Sequence, residues 1–119
     1  MHINDLFGLN LKRCVRWHKD GLNEWSALEW AGAMTGEAGE AANAAKKVKR
    51  METDTASINE GERHFTKLSD AQTQVAKEVA DTIIYGLLLM ARVGVTDPEH
   101  IIREVFNKKS EEYGFPEKL

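Results

Sequence analysis

Cysteine, proline and strand-like alternation are all scarce in this chain. The one cysteine, Cys14, excludes an intramolecular disulfide and suits a reducing compartment. Beside Val15 it reads as a small buried hydrophobe, the usual role of a free thiol. Only two prolines occur, and the absence of an alternating apolar run argues against a sheet. The opening residues Met1 to Asp5 lack the basic start and apolar run of a signal peptide. The most apolar stretch, Thr82 to Val95, is broken by Arg92 and is too short to span a bilayer. A formal charge of -3 gives no global attraction to a nucleic-acid polymer. These absences point to a cytoplasmic chain with neither membrane nor polynucleotide as partner. Its 119 residues suit a single domain, 1–119, with a modest core.

What is present is helical. An all-α chain of four helices is expected, with one polar interruption. The first helix runs from about Asn4 to Lys19, with Leu6, Leu9, Leu11, Cys14, Val15 and Trp17 as irregular apolar contacts, and Gly21 closes it. Ser26 followed by Glu29 is a capping-box pattern, so a second helix starts there and continues to about Met51. Residues 52–68 are polar and aperiodic, and read as a long loop or mobile insert dispensable for folding. Ser69 with Gln72 repeats the capping pattern for a third helix, which Gly94 ends. Asp97-Pro98 supplies an N-cap and a first-turn proline for a fourth, stopped by Gly114 and Pro116.

The carboxylates stand out once placed on these helices at about 100° per residue. On the second helix Trp30, Ala33, Ala41, Ala44 and Val48 form an apolar stripe. Glu37 sits in the middle of it, with Glu40 on its flank. On the third helix Glu78 and Asp81 share a face that continues through Tyr85, Leu88 and Leu89. Burying a lone charge costs several kcal/mol, so acids on packing faces need compensation. If the two helices pack together, four carboxylates converge, and a hard divalent cation is the natural neutraliser. The competing readings are a solvated acidic face and a salt-bridged structural cluster served by Lys46, Lys47, Lys49 and Arg50. Gly32, Gly36 and Gly39 thin out the side chains around the glutamates, which suits close helix–helix contact.

The runs Gly36-Glu37-Ala38-Gly39-Glu40-Ala41-Ala42-Asn43, Lys46-Lys47 and Glu78-Val79-Ala80-Asp81-Thr82-Ile83-Ile84-Tyr85 resemble MazG. More broadly they resemble the all-α NTP pyrophosphatase superfamily, with its Glu-x-x-Glu and Glu-x-x-Asp pattern. The stretch Val105 to Pro116 is similar to the tail of small bacterial and phage MazG-like proteins, and Trp17-His18 and Trp25-Ser26 fit that subgroup. The resemblance covers nearly the whole chain outside residues 52–68. Two departures are visible: the interval between the acidic pairs is long, and where members often carry a lysine shortly before the tail asparagine and a basic residue three positions after it, Arg103 precedes Asn107 by four positions and Ser110 occupies the later one.

The resemblance implies a MazG-like four-helix bundle completed by oligomerisation, as a homodimer or homotetramer. It implies magnesium-dependent hydrolysis of a nucleoside triphosphate to a monophosphate and pyrophosphate, in nucleotide-pool housekeeping, with manganese as the alternative ion. Glu37, Glu40, Glu78 and Asp81 are then the metal-binding and catalytic set. Lys47, Asn107 and Lys109 are candidates for the phosphates, with Lys108 as a substitute in the tail. Tyr85, Trp25 and His18 are candidates for the base, whereas Trp30 reads as core. The rivals are a non-catalytic helical interaction module, and a phosphoribosyl-nucleotide or dUTP-type pyrophosphatase on the same scaffold.

Overall fold

The computed structural model describes residues 1–53 and 67–119. It contains four α-helices: α1 (Ile3–Trp17), α2 (Ala27–Thr53), α3 (Leu68–Arg92) and α4 (Pro98–Tyr113). A 3₁₀ turn at Gly21–Glu24 lies between the first two. Among the described residues there is no strand, and no helix is long and apolar enough to cross a membrane. The loop or insert expected at 52–68 falls mostly on 54–66, outside the described residues. Its edges are helical instead, because Glu52 and Thr53 complete α2 and Leu68 already belongs to α3.

Helix ends follow local chemistry. The α2 helix begins directly after Ser26, where the capping box places it. The α3 helix begins ahead of Ser69, because the carbonyl of Lys67 already accepts from the amides of Asp70 (3.1 Å) and Ala71 (3.3 Å). It ends in a Schellman pair, Val95 N–H to Met90 carbonyl and Gly94 N–H to Ala91 carbonyl, both 3.0 Å. The α4 helix ends in the same way, with Phe115 donating to Ser110 at 2.8 Å and Gly114 to Glu111 at 3.2 Å. Both motifs need a left-handed residue, and Gly94 (φ 94°) and Gly114 (φ 70°) supply it without a Cβ clash.

The chain divides into two compact units, Met1–Ala27 with Leu87–Leu119, and Leu28–Gly86. In the first, α1 buries Phe7, Asn10 and Cys14, a single face at helical spacing. Of the apolar residues expected to make contacts on this helix, Cys14 is buried and Leu6 and Leu11 are half-buried, but the other three are exposed. Leu9, Val15 and Trp17 point outward, and the Arg13 guanidinium lies 4.7 Å from the Trp17 ring. The first turns of α1 and α4 are tied together. Asn4 donates its backbone amide to Glu99 and its side-chain amide to Asp97, each at 2.9 Å, and accepts from the Glu99 amide at 3.2 Å. Asp97 also caps α4 by accepting from the His100 amide at 3.2 Å.

The Asn4 and His100 hydrogen bonds, in that order, hold the Asp97 carboxyl below its ordinary range. The unfolded chain therefore takes up that proton first as pH falls. Stability from this carboxylate is complete above about pH 4 and is lost on acidification through the lowered native value. Asp97→Asn is expected to shift the acid limb of a thermal-melting profile measured against pH; a superimposable limb would remove Asp97 from the acid transition.

In the second unit α2 and α3 run antiparallel. Trp30 meets Tyr85 with ring centroids 6.3 Å apart, and one turn on, a Cβ at Gly86 would stand 3.4 Å from the Met34 sulfur. Further along, Glu37 of α2 meets Glu78 and Asp81 of α3. Trp30 and Ala71 are fully covered, and Ala44 and Met51 are buried on the same unit. The glycines on the other side of α2 do not serve this packing. A Cβ at Gly32, Gly36 or Gly39 would meet nothing within 4 Å, so the close intrachain helix contact expected of them is absent among the described residues. Each costs the helix about 0.5–1 kcal/mol relative to alanine.

Candidate functional site

The acidic residues come together because of where the apolar residues lie. Burying Trp30 and Ala44 turns one face of α2 inward, and Glu37, spaced a whole number of turns from both, turns inward with them. It is half-buried, whereas Glu40, on the flank, is exposed. On α3 the same logic leaves Glu78 half-buried and Asp81 exposed. One carboxylate oxygen from each of Glu37, Glu78 and Asp81 lies within 4.8 Å of the others, close enough to share one cation. Glu40 stands outside this group of three, but its carboxyl shares a hydrogen bond with Glu78.

Crowding of like charge shows in Glu40. Its carboxyl is pushed above the ordinary glutamate range, chiefly by the hydrogen bond with Glu78 and then by the charges of Glu37 and Glu78. The native protein then holds this proton at pH values where the unfolded chain has released it. Metal-free stability should fall as pH rises from about 4.3, the unfolded value, through the raised native one. Glu40→Gln is expected to flatten this part of a melting-temperature profile recorded with chelator present. An unchanged slope would show that the four carboxyls do not interact.

One contributor escapes a motif-based reading. Gln74 donates from Nε2 to Glu78 Oε1 at 2.5 Å and fixes one oxygen of that carboxylate. Its clue in the sequence is position alone, one turn before Glu78 on the same face of α3. Thr82 follows one turn later, its hydroxyl donating to the Glu78 backbone carbonyl at 2.9 Å.

The proposed substrate-contacting residues divide between the units. Lys47 and Tyr85 share a unit with the carboxylates, both half-buried. Tyr85 packs toward the core tryptophan, Trp30. His18, Trp25, Asn107 and Lys109 belong to the other unit. The His18 Nδ1 lies 2.5 Å from Glu24 Oε2, and its ring sits edge-on to Trp25 at 4.7 Å. Glu24 is held in turn by the Lys19 amide at 3.0 Å, and Trp25 offers its carbonyl to Arg92 Nε at 2.9 Å. Asn107 is occupied by the chain's own tail: Oδ1 accepts from the Leu119 amide at 2.8 Å and Nδ2 donates to the Leu119 carbonyl at 3.2 Å. Lys109 places its ammonium 5.7 Å from the Tyr113 ring. Of the basic cluster after the glutamates, Lys46, Lys49 and Arg50 are exposed.

The donor set fits a hard cation. All three convergent groups are carboxylates, with no sulfur or imidazole among them, which matches magnesium or manganese rather than zinc. Two are half-buried, so water screens their mutual repulsion incompletely and a cation between them is favoured. Comparison with known proteins adds no name to this geometry: no protein-family model, no curated protein and no solved structure matches the chain.

Proposed function

We propose that this chain is a magnesium-dependent nucleoside triphosphate pyrophosphohydrolase, a small MazG-like enzyme acting on the bond between the α- and β-phosphates. The observation that carries the reading is the convergence of Glu37, Glu78 and Asp81 oxygens within 4.8 Å from two helices, with Glu40 joined to Glu78. The family resemblance of the two acidic motifs supplies the reaction.

In this reading Glu37, Glu78 and Asp81 hold the metal. When bound, magnesium screens phosphate charge and acidifies a water molecule. The protein's own contribution is position and charge. Gln74 fixes one Glu78 oxygen, so the carboxylate presents the other in a defined direction. Glu40, outside the group of three, is the carboxylate left to accept a proton from the attacking water. Half-burial of Glu37 and Glu78 strengthens their interaction with any cationic partner relative to a solvated pair. Lys47 is the basic residue of the same unit nearest in character to a phosphate anchor, being half-buried where its neighbours are exposed. Gln74→Leu is expected to lower turnover about 10–100-fold, the usual cost of losing a partner behind a metal ligand. A rate within about twofold of the parent would show that Glu78 needs no such support.

The test is a screen of canonical and modified nucleoside triphosphates with magnesium, identifying the phosphate product for each. Pyrophosphate with a nucleoside monophosphate, abolished by chelator while the helical circular dichroism signal persists, supports the proposal. Orthophosphate as first product, or no turnover of any nucleotide, refutes it.

A further inference from the structure

The segment after α4 turns back on its own helix and takes hold of a side chain suited to a ligand. Gly114, in the left-handed conformation, reverses the chain, and Pro116 fixes a further φ on the return. Leu119 then meets Asn107 through its main chain alone, its amide donating to Oδ1 at 2.8 Å and its carbonyl accepting from Nδ2 at 3.2 Å. One residue thus engages both polar atoms of the carboxamide. Lys118 adds a second grip, its ammonium 3.3 Å from the Asn107 carbonyl and 2.9 Å from a Glu111 carboxylate oxygen.

This grip is polar and shallow. Phe115 and Leu119 remain 56% and 63% exposed, so docking the tail buries little apolar surface. The Lys118–Glu111 pair is open to solvent, where salt screens it. A segment held this way releases easily, and its preset turn brings it back.

Asn107 also lines a cavity of about 520 Å³ along α4, together with Arg103 and Lys108. A carboxamide and two cations suit an anionic group. The acids of the same lining are met by bases, Glu104 by His100 Nε2 at 3.0 Å and Glu111 by Lys118. An incoming phosphate and the Leu119 main chain therefore compete for one carboxamide.

We propose that residues 115–119 form an autoinhibitory strap, which occupies Asn107 until a nucleotide displaces it. The inference rests on the reading of the chain as a nucleotide pyrophosphohydrolase with Asn107 at the phosphates. Apparent affinity is then reduced by the fraction of molecules in which the strap is open, so loosening the strap tightens nucleotide binding.

The test is the double variant Glu111→Gln with Lys118→Gln, made in the full chain. It removes the ion pair yet leaves the summed charge beside the cavity unchanged. Hydrogen exchange of the Leu119 amide, followed by NMR, should speed up at least about twofold, and KM for the best nucleotide of the magnesium screen should fall about two- to fivefold, the span an exposed ion pair carries. The kcat and the helical circular dichroism should not change. Glu111→Lys with Lys118→Glu re-forms the pair with reversed polarity and should return both quantities toward parental values. Added salt should speed exchange at Leu119 in the parent and not in the double glutamine variant. An unchanged or higher KM alongside faster exchange overturns the proposal, because the strap then opens without competing. Unchanged exchange also overturns it, because the pair then does not hold the tail. A parent that turns over no nucleotide refutes the proposed reaction and the strap with it, whereas parental turnover with an unmoved KM refutes the strap alone.

Discussion

Glu37→Gln and Asp81→Asn are each expected to abolish pyrophosphate release while leaving the metal-free protein at least as stable as the parent. Both substitutions keep side-chain shape and most hydrogen-bonding capacity, so they isolate the charge. Three carboxylate oxygens within 4.8 Å repel one another when no cation lies between them, and removing one charge relieves that repulsion. A salt-bridged structural cluster predicts the opposite. Deleting an acid there strands a buried cation at a cost of about 3–5 kcal/mol. In the proposed reading magnesium binds only the folded state, so the parent's melting temperature should rise with added magnesium, and each variant should lose most of that rise. Turnover should fall by orders of magnitude in both. Near-parental hydrolysis by either variant takes that residue out of the mechanism, and marked destabilisation without metal returns the cluster to a structural role.

The parts of this site visible in the sequence are those governed by helical periodicity. Glu37 lies on the apolar stripe of α2 and Glu78 on that of α3, and the two are the half-buried members of the quartet. Glu40, on the flank of its stripe, is exposed as that position predicts, whereas Asp81, which shares the Glu78 face in sequence, is exposed too. On α2 period alone carries the distinction, because burial of Trp30 and Ala44 fixes the rotation of that helix. Helix ends with a backbone mechanism were equally legible: Asp97-Pro98, Gly94 and Gly114 each act where their chemistry requires. Ser69 was not, because a capping residue competes with any earlier carbonyl free to start the hydrogen-bond ladder, and Lys67 provides one.

Other features depend on long-range contacts that no local pattern encodes. Asn107 reads as a ligand-binding amide in sequence, but its bonds to Leu119 arise from the tail folding back along α4. Lys118 supports the same turn-back, with its ammonium 3.3 Å from the Asn107 carbonyl and 2.9 Å from Glu111. The apolar residues expected to make contacts on α1 divide for a related reason, with Leu6, Leu11 and Cys14 at least half-buried and the rest exposed. Its partners cover the single stripe of Phe7, Asn10 and Cys14, so Leu9, Val15 and Trp17 are left outside. Gly32, Gly36 and Gly39 read as a close-contact face, but a Cβ at any of them would meet no atom within 4 Å among the described residues.

Trp30→Ala is expected to produce the largest loss of stability of any single substitution in the chain. Trp30 is fully covered, and no other side chain as large is. Truncating a buried tryptophan removes its transfer free energy and leaves a cavity that the surroundings refill only in part. The usual cost is about 3–5 kcal/mol. Small domains hold only about 5–15 kcal/mol in total, so the variant should unfold at much lower urea. The tilted contact with Tyr85 at 6.3 Å adds a ring interaction that alanine cannot replace. Trp30→Phe should recover much of the loss by keeping a ring in the space. Trp17→Ala is the matched control: Trp17 is 69% exposed, so its removal should stay within about 0.5 kcal/mol. The consequence reaches the carboxylates, because Trp30 is the anchor that turns the Glu37 face of α2 toward α3. Trp30→Ala should therefore lose magnesium-induced stabilisation along with stability, under conditions where the remaining protein is folded. A urea midpoint close to the parent's would mean that Trp30 is not what sets the rotation of α2, and that Glu37 is held inward by its own interactions.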